Sequence, residues 1–210
     1  MDGPRTWDFD GYDWIDRYDE YTRGLPRLCY EQAIAALPRL CRAEPQDTVL
    51  DIGAGTGNFA VPFLEAGCTV LAIDPSERML RRAQDKVARY GRRLCVQHVD
   101  DAFLRLLLDD RRFHIAFAAY AIHHLDDCAK RQAIRGMRSC LRPEGRIVIV
   151  DTMFADEAHK ARMLATDDTL EDEYHPLLST FPAMVAEEGL AVELTQIGPL
   201  VWVLAGTRDA

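Results

Sequence analysis

Val49-Leu-Asp-Ile-Gly-Ala-Gly-Thr-Gly57 is the stretch on which the reading of the fold turns. A short apolar run, Val49 to Ile52, passes directly into three glycines at alternate positions. Asn58 to Ala66 then carries helical character up to Gly67, which is placed to stop a helix. Strand, tight loop, helix is the expected order, and Pro62 falls early enough in the helix to be tolerated. Without side chains at Gly53, Gly55 and Gly57, the backbone can pass close to a bound ligand. A dinucleotide fingerprint starting at Gly53 needs its third glycine at position 58, where the chain has Asn58, so the loop is G-x-G-x-G. Asp51, two residues ahead of Gly53, is placed to face a cationic group such as the ammonium of a methionine moiety. It would sit awkwardly beside a pyrophosphate, which favours S-adenosylmethionine over NAD.

Outward from this stretch, strands alternate with helices. Cys68 to Asp74 reads as a second strand, and Ser76 can cap the helix whose stripe is Met79, Ala83, Val87 and Tyr90, ending at Gly91. Leu94 to Val99 is a third strand closed by Asp100 and Asp101. Phe113 to Tyr120 is a nearly continuous apolar run, suited to a central parallel strand covered on both faces. Asp126 and Asp127 can open a helix carrying Ile134, Met137 and Leu141, turned by Pro143-Glu-Gly145 into a fifth strand, Arg146 to Asp151. Residues 152–188 read as a helical insert, with Thr166 to His175 an exposed acidic helix. Leu190 to Ile197 and Leu200 to Ala205, joined by Gly198-Pro199, are expected to pair as an antiparallel hairpin at the sheet edge. Ahead of the first strand, Tyr12 to Tyr21 and Pro26 to Leu40 are helical patterns suited to a cap. The expected organisation is one domain over 1–210: cap 1–44, cofactor-binding core 45–151, insert 152–188 and C-terminal hairpin 189–210.

Asp74 ends the second strand, where open α/β sheets place ligands, and a carboxylate there can accept hydrogen bonds from both ribose hydroxyls. Asp100, with Asp101 as competitor, ends the third strand at the same edge and could accept a bond from an adenine amino group. Pro75 and Met79 would wall the adenine. Capping a helix is an alternative role for either aspartate.

The order and spacing of Val49 to Gly57, Leu71-Ala-Ile-Asp-Pro-Ser76, His98-Val-Asp100, Ala121-Ile-His-His-Leu125 and Leu141-Arg-Pro-Glu-Gly145 resemble the class I S-adenosylmethionine-dependent methyltransferases. Trp14-Ile-Asp-Arg-Tyr-Asp19, Tyr120 to Leu125, Asp151-Thr-Met-Phe-Ala-Asp156 and Val201-Trp-Val203 extend the resemblance to the YrrT-like small bacterial methyltransferases. The resemblance implies a Rossmann-like α/β fold: a seven-stranded sheet with the last strand antiparallel, helices on both faces and a small helical cap. It also implies a cofactor across the ends of strands one, two and four, with Ala54 and Tyr120 among its neighbours and Tyr18 near it on a cap helix. Val99 replaces a glycine common in the family.

A net charge of −9 argues against a broad phosphate-binding surface, so DNA or RNA is an unexpected partner. The polar, acidic start has no secretory or transit pattern, and no run is long and apolar enough to span a bilayer, so a cytoplasmic protein with a small-molecule acceptor is expected. Six scattered cysteines with no C-x-x-C pair read as buried reduced thiols. The histidines show no metal-ligand spacing with Cys or carboxylates, so no metal is expected. If the acceptor is a hydroxyl, His123 or His124, just beyond the fourth strand, is placed to act as general base. A structural or substrate-lining role is the plainer reading of both. The aromatics Trp7, Phe9, Tyr12, Trp14, Tyr18 and Tyr21 could line an acceptor pocket under a closing lid or simply pack the cap. An aminopropyl transferase on the same fold, or a non-catalytic adenosylmethionine-binding subunit, are the competing functions; the oligomeric state and the acceptor atom stay open.

Overall fold

The computed structural model of the chain describes residues 13–99, 112–167, 170 and 173–208. A 3-10 turn at Asp13–Arg17 runs into α1 (Tyr18–Arg23), and a second at Pro26–Leu28 precedes α2 (Tyr30–Leu40). β1 (Thr48–Ile52) enters the glycine loop, followed by α3 (Ala60–Glu65), β2 (Thr69–Asp74), α4 (Glu77–Val87) and β3 (Leu94–His98). Then come β4 (Phe113–Ala119), α5 (Asp127–Ser139), β5 (Leu141–Thr152), α6 (Glu157–Leu164), α7 (Phe181–Ala186), β6 (Leu190–Gln196) and β7 (Val201–Arg208).

The seven strands lie in the order β3-β2-β1-β4-β5-β7-β6, with β1 to β5 parallel and β7 antiparallel to both its neighbours. Side chains alternate across the pleat, so the two faces bury different sets. Leu50, Ile52, Ala116, Ala118, Ile147 and Ile149 pack with α5 and α7, while Val49, Ile115, Phe117, Val148 and Val150 pack with α2 and α3. Chain direction in the sheet order reverses about β1 and β4, and that switch point opens a crevice at the carboxyl ends of the strands.

Local signals behave as the residues suggest. Ser76 accepts the Met79 N–H at 3.1 Å and Asp126 accepts the Ala129 N–H at 2.8 Å, each capping its helix. Met79, Ala83 and Val87 are buried along one stripe of α4. Gly67 ends the α3 turn with a φ of 93°.

Three expectations are corrected. Leu141 belongs to β5, not to the preceding helix: it pairs with Phe113, and the Cys140 carbonyl accepts the Phe113 N–H at 2.8 Å. Pro143 to Gly145 therefore lies within β5, at a register shift between Phe113 and Ile115, rather than before it. The C-terminal strands pair as the expected antiparallel hairpin at the sheet edge, with β6 outermost and β7 between β5 and β6. The described residues between Thr166 and His175 form no helix, and Glu173 and His175 turn inward. Of the cysteines, all free, Cys41, Cys68 and Cys140 are buried, whereas Cys95 and Cys128 are exposed. No helix among the described residues is long and apolar enough to cross a membrane.

Candidate cofactor and acceptor site

The glycine loop is hooked to the end of β2, where the N–H groups of Gly53 and Ala54 both donate to the Ile73 carbonyl, at 2.9 and 3.1 Å. Gly53 has a φ of 68°, and a Cβ there would lie 2.6 Å from the Cβ of Ala121, so no larger residue fits. Gly55, with a φ of 51°, faces open space: a Cβ built on it meets nothing within 4 Å. Its N–H donates to Oδ2 of Asp74 at 2.8 Å, while Oδ1 of Asp74 accepts the Ser76 N–H at 2.8 Å. One carboxylate thus braces both the loop after β1 and the turn after β2.

Asp51 is 1% exposed, and its Oδ2 has no hydrogen-bond partner among the described residues. Burial, and then the nearby charge of Asp74, hold its carboxyl well above the usual carboxylate range. A buried acceptor of this kind is costly unless a ligand supplies a donor. An ammonium meets that demand, and the open cradle at Gly55 beside Asp74 leaves room for the nucleoside, so the residues present fit S-adenosylmethionine. Met79 is buried on α4, whereas Pro75 is exposed, its carbonyl 2.9 Å from Nε2 of His98. Asp100 and Asp101 lie outside the described residues, as do Trp7, Phe9 and Tyr12.

The cap is tied to the glycine loop by a network that sequence inspection missed. Asp19 on α1 accepts from Thr56 Oγ1 and from Asn58 Nδ2 (2.9 Å), and pairs with Lys86 Nζ of α4 at 2.6 Å. Burial works against ionising Asp19, but the hydrogen bonds from Lys86 and Thr56 leave its carboxyl below its ordinary value. Tyr18, next to it, has its phenol pushed well up by burial and then by Tyr30 and the charge of Asp74. Tyr120 sits at the end of β4 with a φ of 51°, a strained setting for a bulky residue. Its hydroxyl donates to the Leu28 carbonyl, and its ring packs against Tyr30 and Phe59 with centroids 5.6 and 5.8 Å apart.

Beyond β4 the structure gathers groups that are far apart in sequence. Asp151, fully buried at the end of β5, accepts the N–H groups of Ile122 (3.1 Å), His123 (3.1 Å) and Thr152 (2.8 Å), and its Oδ1 lies 2.6 Å from Nδ1 of His123. Glu173 approaches from the insert, its Oε2 3.3 Å from Nε2 of His123 and its Oε1 3.0 Å from Nδ1 of His124. The backbone bond from Tyr174 N–H to the His123 carbonyl, 2.9 Å, fixes that approach. His175 adds a third ring, 5.4 Å from His123 between centroids. The expectation that no histidine clusters with carboxylates is thereby corrected: linear spacing could not register partners that meet only after β5 and the insert fold back over β4. Desolvation opposes charge on His123, but Asp151 outweighs it and raises its pKa, whereas burial and the neighbouring His123 lower that of His124. Burial opposes the charge of Glu173, yet His124 and His123 leave its carboxyl below its ordinary value.

Between this cluster, the cap and the ends of β4 and β5 lies a pocket of about 860 Å³, lined by Tyr18, Tyr30, Tyr120, His123, His124 and Glu173 among others. Such a volume suits a small molecule.

A methyltransferase-domain family model matches residues 49–145. The protein named "Uncharacterized methyltransferase YrrT" of Bacillus subtilis is 32% identical over 208 residues, spanning 93% of this chain and 95% of its own length. A methyltransferase of Geobacillus thermodenitrificans is 31% identical, spanning 93% and 94%. Among solved structures, the magnesium protoporphyrin IX methyltransferase of Synechocystis, with bound SAH, superposes with a TM-score of 0.76 at 17% identity over 96% of this chain and 97% of its own. A SAM-dependent methyltransferase of Aquifex aeolicus gives 0.69 at 18% identity over 93% and 97%. These two share the fold. The chain belongs to the class I S-adenosylmethionine-dependent methyltransferases, in the group of the YrrT-like small bacterial proteins.

Proposed function

We propose that the chain transfers the methyl group of S-adenosylmethionine to a small-molecule acceptor by in-line displacement, in the pocket between the cap and the ends of β4 and β5. The observation that carries this reading is the pairing of an unsatisfied buried carboxylate, Asp51, with a half-open pocket lined by Tyr18 and Tyr120. Asp51 would receive the ammonium of the cofactor, and Gly53, Ala54 and Gly55 would let the backbone approach it. Asp74 would hold the ribose, with Pro75 and Met79 beside the base. Bound there, the cofactor supplies an electrophilic methyl carbon on a sulfonium. Tyr18 and Tyr120 would separate cofactor from acceptor and exclude water, leaving positioning as the main work of the protein.

A net charge of −9 and a pocket of this size favour a small acceptor over nucleic acid. His124, whose pKa is lowered by burial and by His123, and His123 both line the pocket, and His124 would take a proton from a hydroxyl acceptor. The test is calorimetric titration with S-adenosylmethionine, with NAD and decarboxylated adenosylmethionine as controls, followed by a screen of hydroxyl, thiol and amine acceptors for S-adenosylhomocysteine release. Selective binding of S-adenosylmethionine with acceptor-dependent release is expected; preference for either control ligand would overturn the reading.

A further inference from the structure

We propose that His123, His124 and Glu173 form a divalent-metal site, suited to Zn²⁺, that faces the acceptor pocket and is oriented by Asp151. One ring nitrogen of each histidine and a carboxylate oxygen of Glu173 all lie within 4.8 Å of one another. Oε2 of Glu173 lies 3.3 Å from Nε2 of His123 and Oε1 lies 3.0 Å from Nδ1 of His124, so one carboxylate faces both rings.

The second argument is the setting of His123. A ligating histidine ordinarily donates its other ring N–H to a carboxylate, which fixes the tautomer and makes the ligating nitrogen more basic. Asp151 does this here. Its carboxylate is fully buried, already accepts three backbone N–H groups and lies 2.6 Å from Nδ1 of His123. With Nδ1 engaged by that carboxylate, Nε2 is the nitrogen of His123 left to ligate, and it faces Oε2 of Glu173 at 3.3 Å.

Two histidines and one carboxylate leave a fourth position open toward the pocket, the arrangement of a catalytic rather than a closed structural site. This part of the inference rests on the methyltransferase reading: the acceptor is then a thiol or hydroxyl compound whose nucleophilic atom replaces the metal-bound water. Coordination lowers its pKa, so its proton passes to solvent near neutral pH and the lone pair remains on the acceptor atom. His124 serves in that case as a ligand and the metal replaces the general base.

The test uses the full chain in a Cys95→Ser/Cys128→Ser background, which removes the exposed thiols as competing ligands. Metal-stripped protein is titrated with Zn²⁺ against a chromophoric chelator and with Co²⁺ by absorption, and the same sample is titrated with S-adenosylmethionine. One Zn²⁺ per chain is expected, weakened by at least ~100-fold in His124→Ala and in Glu173→Gln, with tetrahedral Co²⁺ bands lacking thiolate charge transfer. No uptake by the parent protein, or unchanged affinity in both variants, would overturn the site, and the Co²⁺ spectrum of the parent decides the matter if a variant fails to fold. Adenosylmethionine binding without Zn²⁺ sinks the metal site and leaves the methyltransferase reading standing; Zn²⁺ binding without adenosylmethionine does the reverse.

Discussion

The Gly55 amide and the Asp74 carboxylate are joined at 2.8 Å, so the residue proposed to hold the ribose also holds the loop proposed to receive the methionine moiety. Asp74→Ala is therefore expected to weaken adenosylmethionine by more than one lost ligand bond. Loss of charge-assisted bonds alone accounts for about 1.5–3 kcal/mol, or roughly tenfold to a hundredfold in Kd by calorimetry. Retained affinity would separate Asp74 from the site.

Asp51→Asn should act in opposite directions on stability and on binding. Removing an unpartnered buried carboxylate is expected to raise the Tm of the ligand-free protein by ~2–4 °C while adenosylmethionine affinity falls at least tenfold. Because the folded-state pKa of Asp51 lies above its ordinary 3.8, its penalty is absent below that pH and grows as pH rises toward the raised value. The stability gain should follow the same course across a pH series of melts. Binding an ammonium requires the carboxylate, so the parent protein should release a proton on binding, seen as a dependence of calorimetric enthalpy on buffer ionisation. The Asn variant should show none from this residue.

Gly53→Ala places a methyl group 2.6 Å from the Ala121 Cβ at a φ of 68°. A loss of about 1–3 kcal/mol in denaturant melts is expected. Adding Ala121→Gly should recover the part due to the clash and not the part due to φ. Full recovery would mean that the backbone conformation carries no cost.

Asp19→Asn should loosen the cap, costing about 1–2 kcal/mol after allowing for its partial exposure. The Asp19 carboxyl titrates below its ordinary 3.8, so its contribution is fully present above that pH and disappears as pH falls through the depressed value. The difference in stability between parent and variant should be flat from about pH 5 to 8 and close below pH 3.8. Hydrogen exchange at α1 should rise in the variant; exchange unchanged there would detach Asp19 from cap closure.

What the sequence disclosed was set by how local each feature is. The passage from β1 through the glycine loop, the Ser76 and Asp126 caps and the stripe of α4 are all written within a few residues, and they stand where the residues put them. Leu141 misled because an apolar residue four beyond Met137 satisfies a helical period as well as the first position of a strand. Glu173 and His175 were hidden in a segment whose composition is that of a solvated helix. Their burial depends on His123 and Asp151, fifty and twenty-two residues away at the nearest, and no periodicity records such a meeting. The tie between Asp19 and Lys86 escaped notice for the same reason, since each residue alone resembles an ordinary charge on a helix surface.

The place of β7 inside the sheet has a bearing on synthesis. As the chain leaves the ribosome, β5 emerges with one side still unpaired, and β6 appears next but is not its neighbour in the finished sheet. β6 must wait for β7, which has to enter between them and bond to both. Until then the apolar strand β5 keeps an open edge, a template for pairing with other chains. Truncations that remove Val201 to Arg208 should therefore yield aggregated rather than merely destabilised protein, and a nascent chain stalled before that segment is the state in which a chaperone would matter most.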